Sequence, residues 1–117
     1  MTPARHRTAE LSAQQFHILL ALADEDRHGY GIILEVARRT GGTVQLGTGP
    51  LYTAIGRLAA AGLIDETSRR DDDDARRRYY TLTAFGRDAL RAETARLEGL
   101  LVQARRKGIR SPQKGRA

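Results

Sequence analysis

A chain of 117 residues with net charge +6 and no cysteine is one domain's worth of polypeptide. It has no disulfides, no thiolate metal site and no cysteine nucleophile. No apolar run nears the roughly 18 residues of a membrane span, and the first ten residues lack a secretory apolar segment, so the expectation is a soluble, cytoplasmic protein. The charge excess lies in Arg105, Arg106, Lys107, Arg110, Lys114 and Arg116. Ahead of them fourteen basic side chains balance fourteen acidic ones, so a polyanionic partner must be argued from clustering rather than from pI.

Residues 1–10 read as a flexible N-terminus. Ser12 and Gln15 then have the spacing of a capping box, flanked by Leu11 and Phe16. Phe16, Leu19, Leu20 and Ala23 continue at helical spacing until the acidic run 24–26. A second helix is expected over about 29–40, with Tyr30, Ile33, Leu34 and Ala37 as its apolar stripe and Gly41 and Gly42 as its stop. Residues 44–46 read as extended. Thr48 or Gly49 can cap a third helix with Pro50 in its first turn, and Gly62 closes it.

Leu63 and Ile64 lead into a strand, "RDDDDARR" (residues 70–77) forms a charged hairpin tip, and "RYYTLT" returns as the second strand. Tyr79 and Tyr80 alternate, which predicts one inward and one outward ring. Thr83 caps a last helix to about Lys107, on which Leu90, Thr94, Leu97, Leu101 and Ala104 make a narrow seam. About 25 helical residues extend roughly 37 Å, more than a three-helix body needs for packing. The fold class expected is mainly α with a small β-hairpin, a winged helix-turn-helix plus a long C-terminal dimerisation helix. The divisions are a winged-helix domain over 11–82, the dimerisation helix over 83–107, and a basic disordered tail over 108–117.

The glycines of "GTGP" raise the question of a phosphate cradle. Gly42 and Gly47 have the spacing of a nucleotide-binding loop, but Thr48 and Gly49 stand where lysine and Ser/Thr are required. The dinucleotide pattern fails as well, because Tyr52 occupies its third glycine position. A turn that aims a helix is the better reading. With Leu51, Ile55 and Leu58 on one side, Thr53, Gly56, Arg57 and Ala60 fall opposite, and Tyr52 lies at the flank. Such a small, polar outer face suits close approach to a major groove, although an ordinary amphipathic helix shares the pattern.

Arg69, Arg70, Arg76 and Arg77 approach the hairpin tip from both strands, where they could flank a DNA backbone. Asp71 to Asp74 oppose this, either pairing with spare arginines or forming a solvated turn. They lack the glycine and closing glutamate of a calcium loop. His6, His17 and His28 have no metal-ligand spacing, Tyr30 reads as a core or helix-packing residue with contact to a phosphate as the lesser alternative, and no catalytic constellation is visible. No cofactor is expected.

Three stretches, "FHILLALADEDRHGYGI", "GTGPLYTAIGRLAAAGLI" and "RRRYYTLTAFGRDAL", occur in an order and at distances that resemble the PadR family of bacterial transcriptional regulators over about residues 11–107. The resemblance implies a homodimer joined through the last helix, binding a roughly palindromic double-stranded DNA operator and usually repressing. It puts Tyr52 and Arg57 on the DNA side, with Leu51 and Leu58 in the core. Family members respond to small-molecule effectors, and no residue here identifies one. Pro50 departs from a frequent threonine, and a basic residue common near Thr53 or Gly56 is missing, so operator sequence does not carry over. DNA-binding candidates are thus Thr48, Tyr52, Thr53, Arg57, Arg69, Arg70, Arg76 and Arg77, with Leu90, Thr94, Leu97, Leu101 and Ala104 for the dimer. The rival reading is a winged-helix protein-interaction module that does not bind DNA.

Overall fold

The computed structural model describes residues 10–68 and 77–112. The readings made for residues 1–9, for Arg69, Arg70 and Arg76, for Asp71 to Asp74 and for the tail beyond 112 lie outside them.

Helix α1 (Ala13–Ala21) starts as the sequence predicts. Ser12 Oγ accepts the Gln15 amide at 3.1 Å, and the Ser12 amide donates to Gln15 Oε1 at 2.9 Å. The other end is closed by Arg27, whose Nε donates to the Ala21 carbonyl at 2.7 Å while its guanidinium faces Asp24. That contact holds Arg27 in β1 (Arg27–His28), a strand with no counterpart in the sequence reading. Two residues are too few to show a period.

His28 also caps α2 (Gly29–Arg39), its Nδ1 accepting the Gly31 amide at 3.0 Å. The stripe expected on Tyr30, Ile33, Leu34 and Ala37 meets the core only through its partly buried Ile33. Gly29, Ile32 and Val36 are buried, while Tyr30 and Leu34 are exposed. Apolar residues stand at i, i+4 along both edges of this helix, and packing against α1 selects the Ile32 edge. Arg39 spans that helix pair, holding Glu35 with two bonds of 2.9 Å and reaching the His17 ring and carbonyl. Gly41 and Gly42 end α2 at φ +63° and +85°, where a side chain would be strained.

Helix α3 (Thr48–Ala60) is preceded by Gly47, not by Thr48 or Gly49, as its cap. Gly47 has no side chain to offer, and its carbonyl accepts the Leu51 amide at 2.9 Å. Strands β2 (Ile64–Thr67) and β3 (Tyr79–Leu82) form the hairpin, and β1 joins on the far side of β3, so the sheet order is β1-β3-β2, antiparallel throughout. In that central position both tyrosines of β3 are buried, correcting the expected alternation. Tyr80 joins the core, and Tyr79 meets the His28 ring edge-on with centroids 5.2 Å apart.

Helix α4 (Ala84–Arg106) is fastened to the wing at its first turn. Thr83 Oγ1 accepts the Gly86 amide and donates to the carbonyls of Gly62 and Leu63. Gly86 is required there, because a Cβ would overlap the Leu63 carbonyl and come within 2.7 Å of Leu82 Cδ1. One core, centred on Ile18, Leu19, Ile32, Val36, Leu51, Leu58 and Ile64, ties these helices to the sheet. The four helices and three strands thus described are mainly helical with a small hairpin and a long last helix, the winged helix-turn-helix plan.

Candidate nucleic-acid interface

The inner edge of α3 is buried through Leu51, Ala54, Ile55 and Leu58. The 100° step of a helix therefore turns Thr53, Gly56, Arg57 and Ala60 outward, and all four are exposed. Thr48 is exposed at the first helical position. Among the described residues no bulky side chain stands over the middle of this face. A Cβ added at Gly49 or Gly56 would meet nothing within 4 Å.

Arg57 forms no ion pair among the described residues, and it borders two grooves at once. One runs to the start of α1 at Ser12, Gln14 and Gln15, and includes Thr53 and Pro50. The other leads past Leu58 and Leu63 to Phe85 at the start of α4. A guanidinium not already paired keeps its forked donors available for a polyanion.

Tyr52 is 48% exposed yet fixed in place. Its ring lies against Gly29, where a Cβ would come within 2.6 Å of Tyr52 Cζ. It borders a cleft shared with Tyr30, Arg77, Arg78 and Tyr80. Burial pushes the Tyr80 phenol above its ordinary pKa; Tyr52 and Glu66 add to the rise, and Arg78 opposes it. Arg77 is exposed at the foot of the wing, and Arg78 pairs with Glu66 at 3.3 Å. The structure thus brings Tyr52 and Arg77 to one cleft, and Thr53 and Arg57 to one groove. Of the two sequence readings of Tyr30, core packing does not hold, because it stands in the first cleft and is 62% exposed. Its helical spacing gives no signal of this.

The seam on α4 divides in two. Leu90 is 7% exposed and belongs to the chain's own core, so it is not available to a second chain, in contrast to the expectation. Thr94, Leu97, Leu101 and Ala104 line an apolar groove of about 450 Å3, together with Leu100 and with Phe16 from α1. Leu97, Leu100, Leu101 and Val102 are all at least 40% exposed. Sequence spacing misses Phe16 and Leu100 in this groove, Phe16 because it comes from a distant helix and Leu100 because it lies outside the 4-3-4-3 pattern.

No helix among the described residues is long and apolar enough to cross a membrane. A sequence model described as the transcriptional regulator PadR-like family matches residues 18–92. Among solved structures, the chain is similar to a PadR family transcription regulator from hypervirulent Clostridium difficile R20291, with 26% identity and a TM-score of 0.71 over 81% of this chain and 97% of that one. It is also similar to RosR of H. salinarum, with 30% identity and a TM-score of 0.62 over 83% of this chain and 80% of the other. The structure of Bacillus subtilis PadR in complex with operator DNA shares the fold, at 21% identity and a TM-score of 0.60 over 69% of this chain and 46% of that chain. No curated protein sequence matches the chain. With its wing, its helix pair and its long last helix all inside or adjoining the matched span, the chain belongs to the PadR-like family of transcriptional regulators.

Proposed function

We propose that the protein is a homodimeric, DNA-binding transcriptional repressor that recognises a roughly palindromic operator. The observation that carries this reading is the outer edge of α3, where Thr53, Gly56 and Arg57 are exposed and the cation is uncommitted among the described residues. A helix presented in this way enters a major groove with its N-terminal residues toward the base edges, here Thr48, Tyr52 and Thr53. Arg77 and its sequence neighbour Arg76, with Arg69 and Arg70 ahead of the acidic run, would hold the phosphate backbone on either side. Bacillus subtilis PadR, which shares this fold, has been seen in complex with operator DNA.

Two copies are proposed because the exposed leucines of α4 form a continuous apolar groove with Phe16. Exposed apolar strips of this kind mark interaction surfaces, and a helix of 23 residues, about 35 Å long, can carry one. A two-fold pair presents two α3 helices to successive major grooves about 34 Å apart, and this accounts for a palindromic site.

Footprinting on DNA flanking the protein's own coding region tests the reading, with Tyr52→Ala and Arg57→Ala alongside the parent. Protection over two half-sites, weakened in both variants while the fold and dimer persist, is expected. Unchanged protection by both variants removes α3 as the contacting element. No protection on any fragment, together with salt-insensitive behaviour, favours a winged-helix protein-interaction module instead.

A further inference from the structure

Arg57 stands between two grooves of different chemistry. On the α4 side its neighbours are Leu58, Leu63 and Phe85, together with Glu10, a carboxylate that reaches Arg96 only at 3.8 Å. On the α1 side Arg57 shares a space of about 440 Å3 with Gln14, Pro50 and Thr53. Among the described residues no carboxylate lines this second groove, and its polar groups other than Arg57 are neutral.

The groups that α1 contributes there are not equally available. Gln15 Oε1 accepts the Ser12 amide, and Ser12 Oγ accepts the Gln15 amide, so both side chains serve the helix cap. Gln14, the second residue of α1, is half-buried, and its side-chain amide has no partner among the described residues. The capping box and the burial of Ile18 and Leu19 fix α1 against the core, and with it the place of Gln14. Gln14 Oε1 is thus an acceptor across from α3 that no intrachain bond consumes.

Arg57 needs such an acceptor if it reads a base. Its guanidinium carries five N–H donors, and a guanine edge takes two of them, at O6 and N7. Each remaining donor that loses its water between protein and duplex is costly unless an oxygen replaces that water. Gln14 Oε1 supplies one and leaves the positive charge intact. Glu10, on the other side, would bind the cation more strongly and turn it away from the duplex. Thr53 stands one turn ahead on the exposed edge of α3, where it would meet the duplex itself.

We infer that Gln14 is a positioning residue for Arg57: its amide oxygen accepts from the guanidinium and aims the remaining fork at a guanine in the major groove. A residue of α1 then governs sequence preference without touching the DNA. The inference rests on the DNA-binding function proposed above. Backbone contacts act on every duplex alike, whereas a base contact acts only where the right base stands. Loss of Gln14 therefore has the signature of a lost base contact.

The test compares the full-length parent with Gln14→Met, Arg57→Ala and the two substitutions combined. Methionine keeps the length and helix propensity of glutamine and removes the amide. Each protein is titrated on a duplex obtained by rounds of selection with the parent, on the same duplex with each guanine in turn replaced by 7-deazaguanine, and on a random-sequence duplex. Gln14→Met is expected to weaken the selected duplex about tenfold and to leave the random duplex and the melting temperature at parental values. The combined variant is expected to bind no more weakly than Arg57→Ala, because the two residues act as one unit. Replacement of one guanine is expected to weaken the parent and to be felt by neither single variant. Gln14→Ala repeats the comparison with no long side chain to misplace. Parental affinity in Gln14→Met and Gln14→Ala, with loss in Arg57→Ala, overturns the inference and leaves the α3 reading standing. Equal loss on the selected and random duplexes assigns Gln14 to the backbone and overturns it as well. So does a loss that adds in full to that of Arg57→Ala, or a parent indifferent to every 7-deazaguanine. A parent that binds no duplex overturns both this inference and the DNA-binding function.

Discussion

Tyr52 lies across Gly29, and only the missing side chain of that glycine lets the phenol reach the start of α2. The contact links the two helices at the point where both face the wing cleft. Gly29→Ala forces a choice, and the yielding partner is the half-exposed tyrosine ring rather than a backbone atom. The expected outcome is a melting temperature within a few degrees of the parent, helped by the better helix propensity of alanine, with duplex affinity reduced several-fold. Thermal melts and duplex titration on the same preparation separate the two effects. A large loss of stability would mean that the helix pair, not the ring, gives way.

Gly56 gives the opposite combination. It sits in the interior of α3 on the exposed edge, where an added methyl group would have nothing within 4 Å. Gly56→Ala is expected to stabilise the fold by about 1 kcal/mol. For a domain of this size that raises the melting temperature by roughly 4–8 °C. If α3 packs closely against a duplex, the same methyl weakens binding. Greater stability with undiminished affinity would show that the middle of α3 does not approach the DNA.

Most helix ends were legible because they depend on local chemistry; the start of α3, where Gly47 caps without a side chain, was not. Ser12 with Gln15, Thr83, Gly41 and Gly42, and Gly62 each act within a few residues of themselves, and the structure has each where the sequence puts it. The choice of face in α2 was not legible, since Ile32 and Val36 share the i, i+4 spacing of Tyr30 and Leu34. The burial of both Tyr79 and Tyr80 needed knowledge of β1, which covers the far side of β3. In the candidate interface, the outer edge of α3 followed from periodicity, but the company of Tyr30 with Tyr52 and Arg77 depends on three separate elements meeting. Leu90 escapes a sequence reading for the same reason. Its spacing continues the seam, yet the body of the protein covers it before a second chain can.

Glu93 makes stability sensitive to acid. It is buried on α4 and held by Arg96, which also reaches Glu10 at 3.8 Å. The hydrogen bond from Arg96 pulls the Glu93 pKa below its ordinary value, with the Leu11 amide helping and burial opposing. A carboxyl depressed in the folded state contributes stability that is present above its unfolded pKa and is lost as pH falls through the folded one. The urea midpoint of the parent is expected to fall across that acid window. Glu93→Gln is expected to be less stable near neutrality and to show a flatter acid limb. Parallel limbs in the two proteins would remove Glu93 as the titrating group.

In the proposed dimer the groove of Phe16, Leu97, Leu100 and Leu101 is the surface that the second chain covers. Leu97 and Leu101 are 40% and 48% exposed, so aspartate at either position adds charge to a surface without opening the core. Once a second chain covers them, each carboxylate would be buried without a partner, at a cost of several kcal/mol. Leu97→Asp combined with Leu101→Asp is therefore expected to give a folded monomer, read by light scattering, with the circular dichroism of the parent. That monomer should bind a single half-site weakly and lose the two-site footprint, because the linkage of two weak contacts into one strong one has gone. Leu90→Asp is the informative contrast. It places the charge inside the chain's own core, and is expected to unfold the protein rather than separate it into subunits. A dimer that survives Leu97→Asp with Leu101→Asp would move the interface off α4, with the exposed Tyr30 and Leu34 edge of α2 as the next surface to vary.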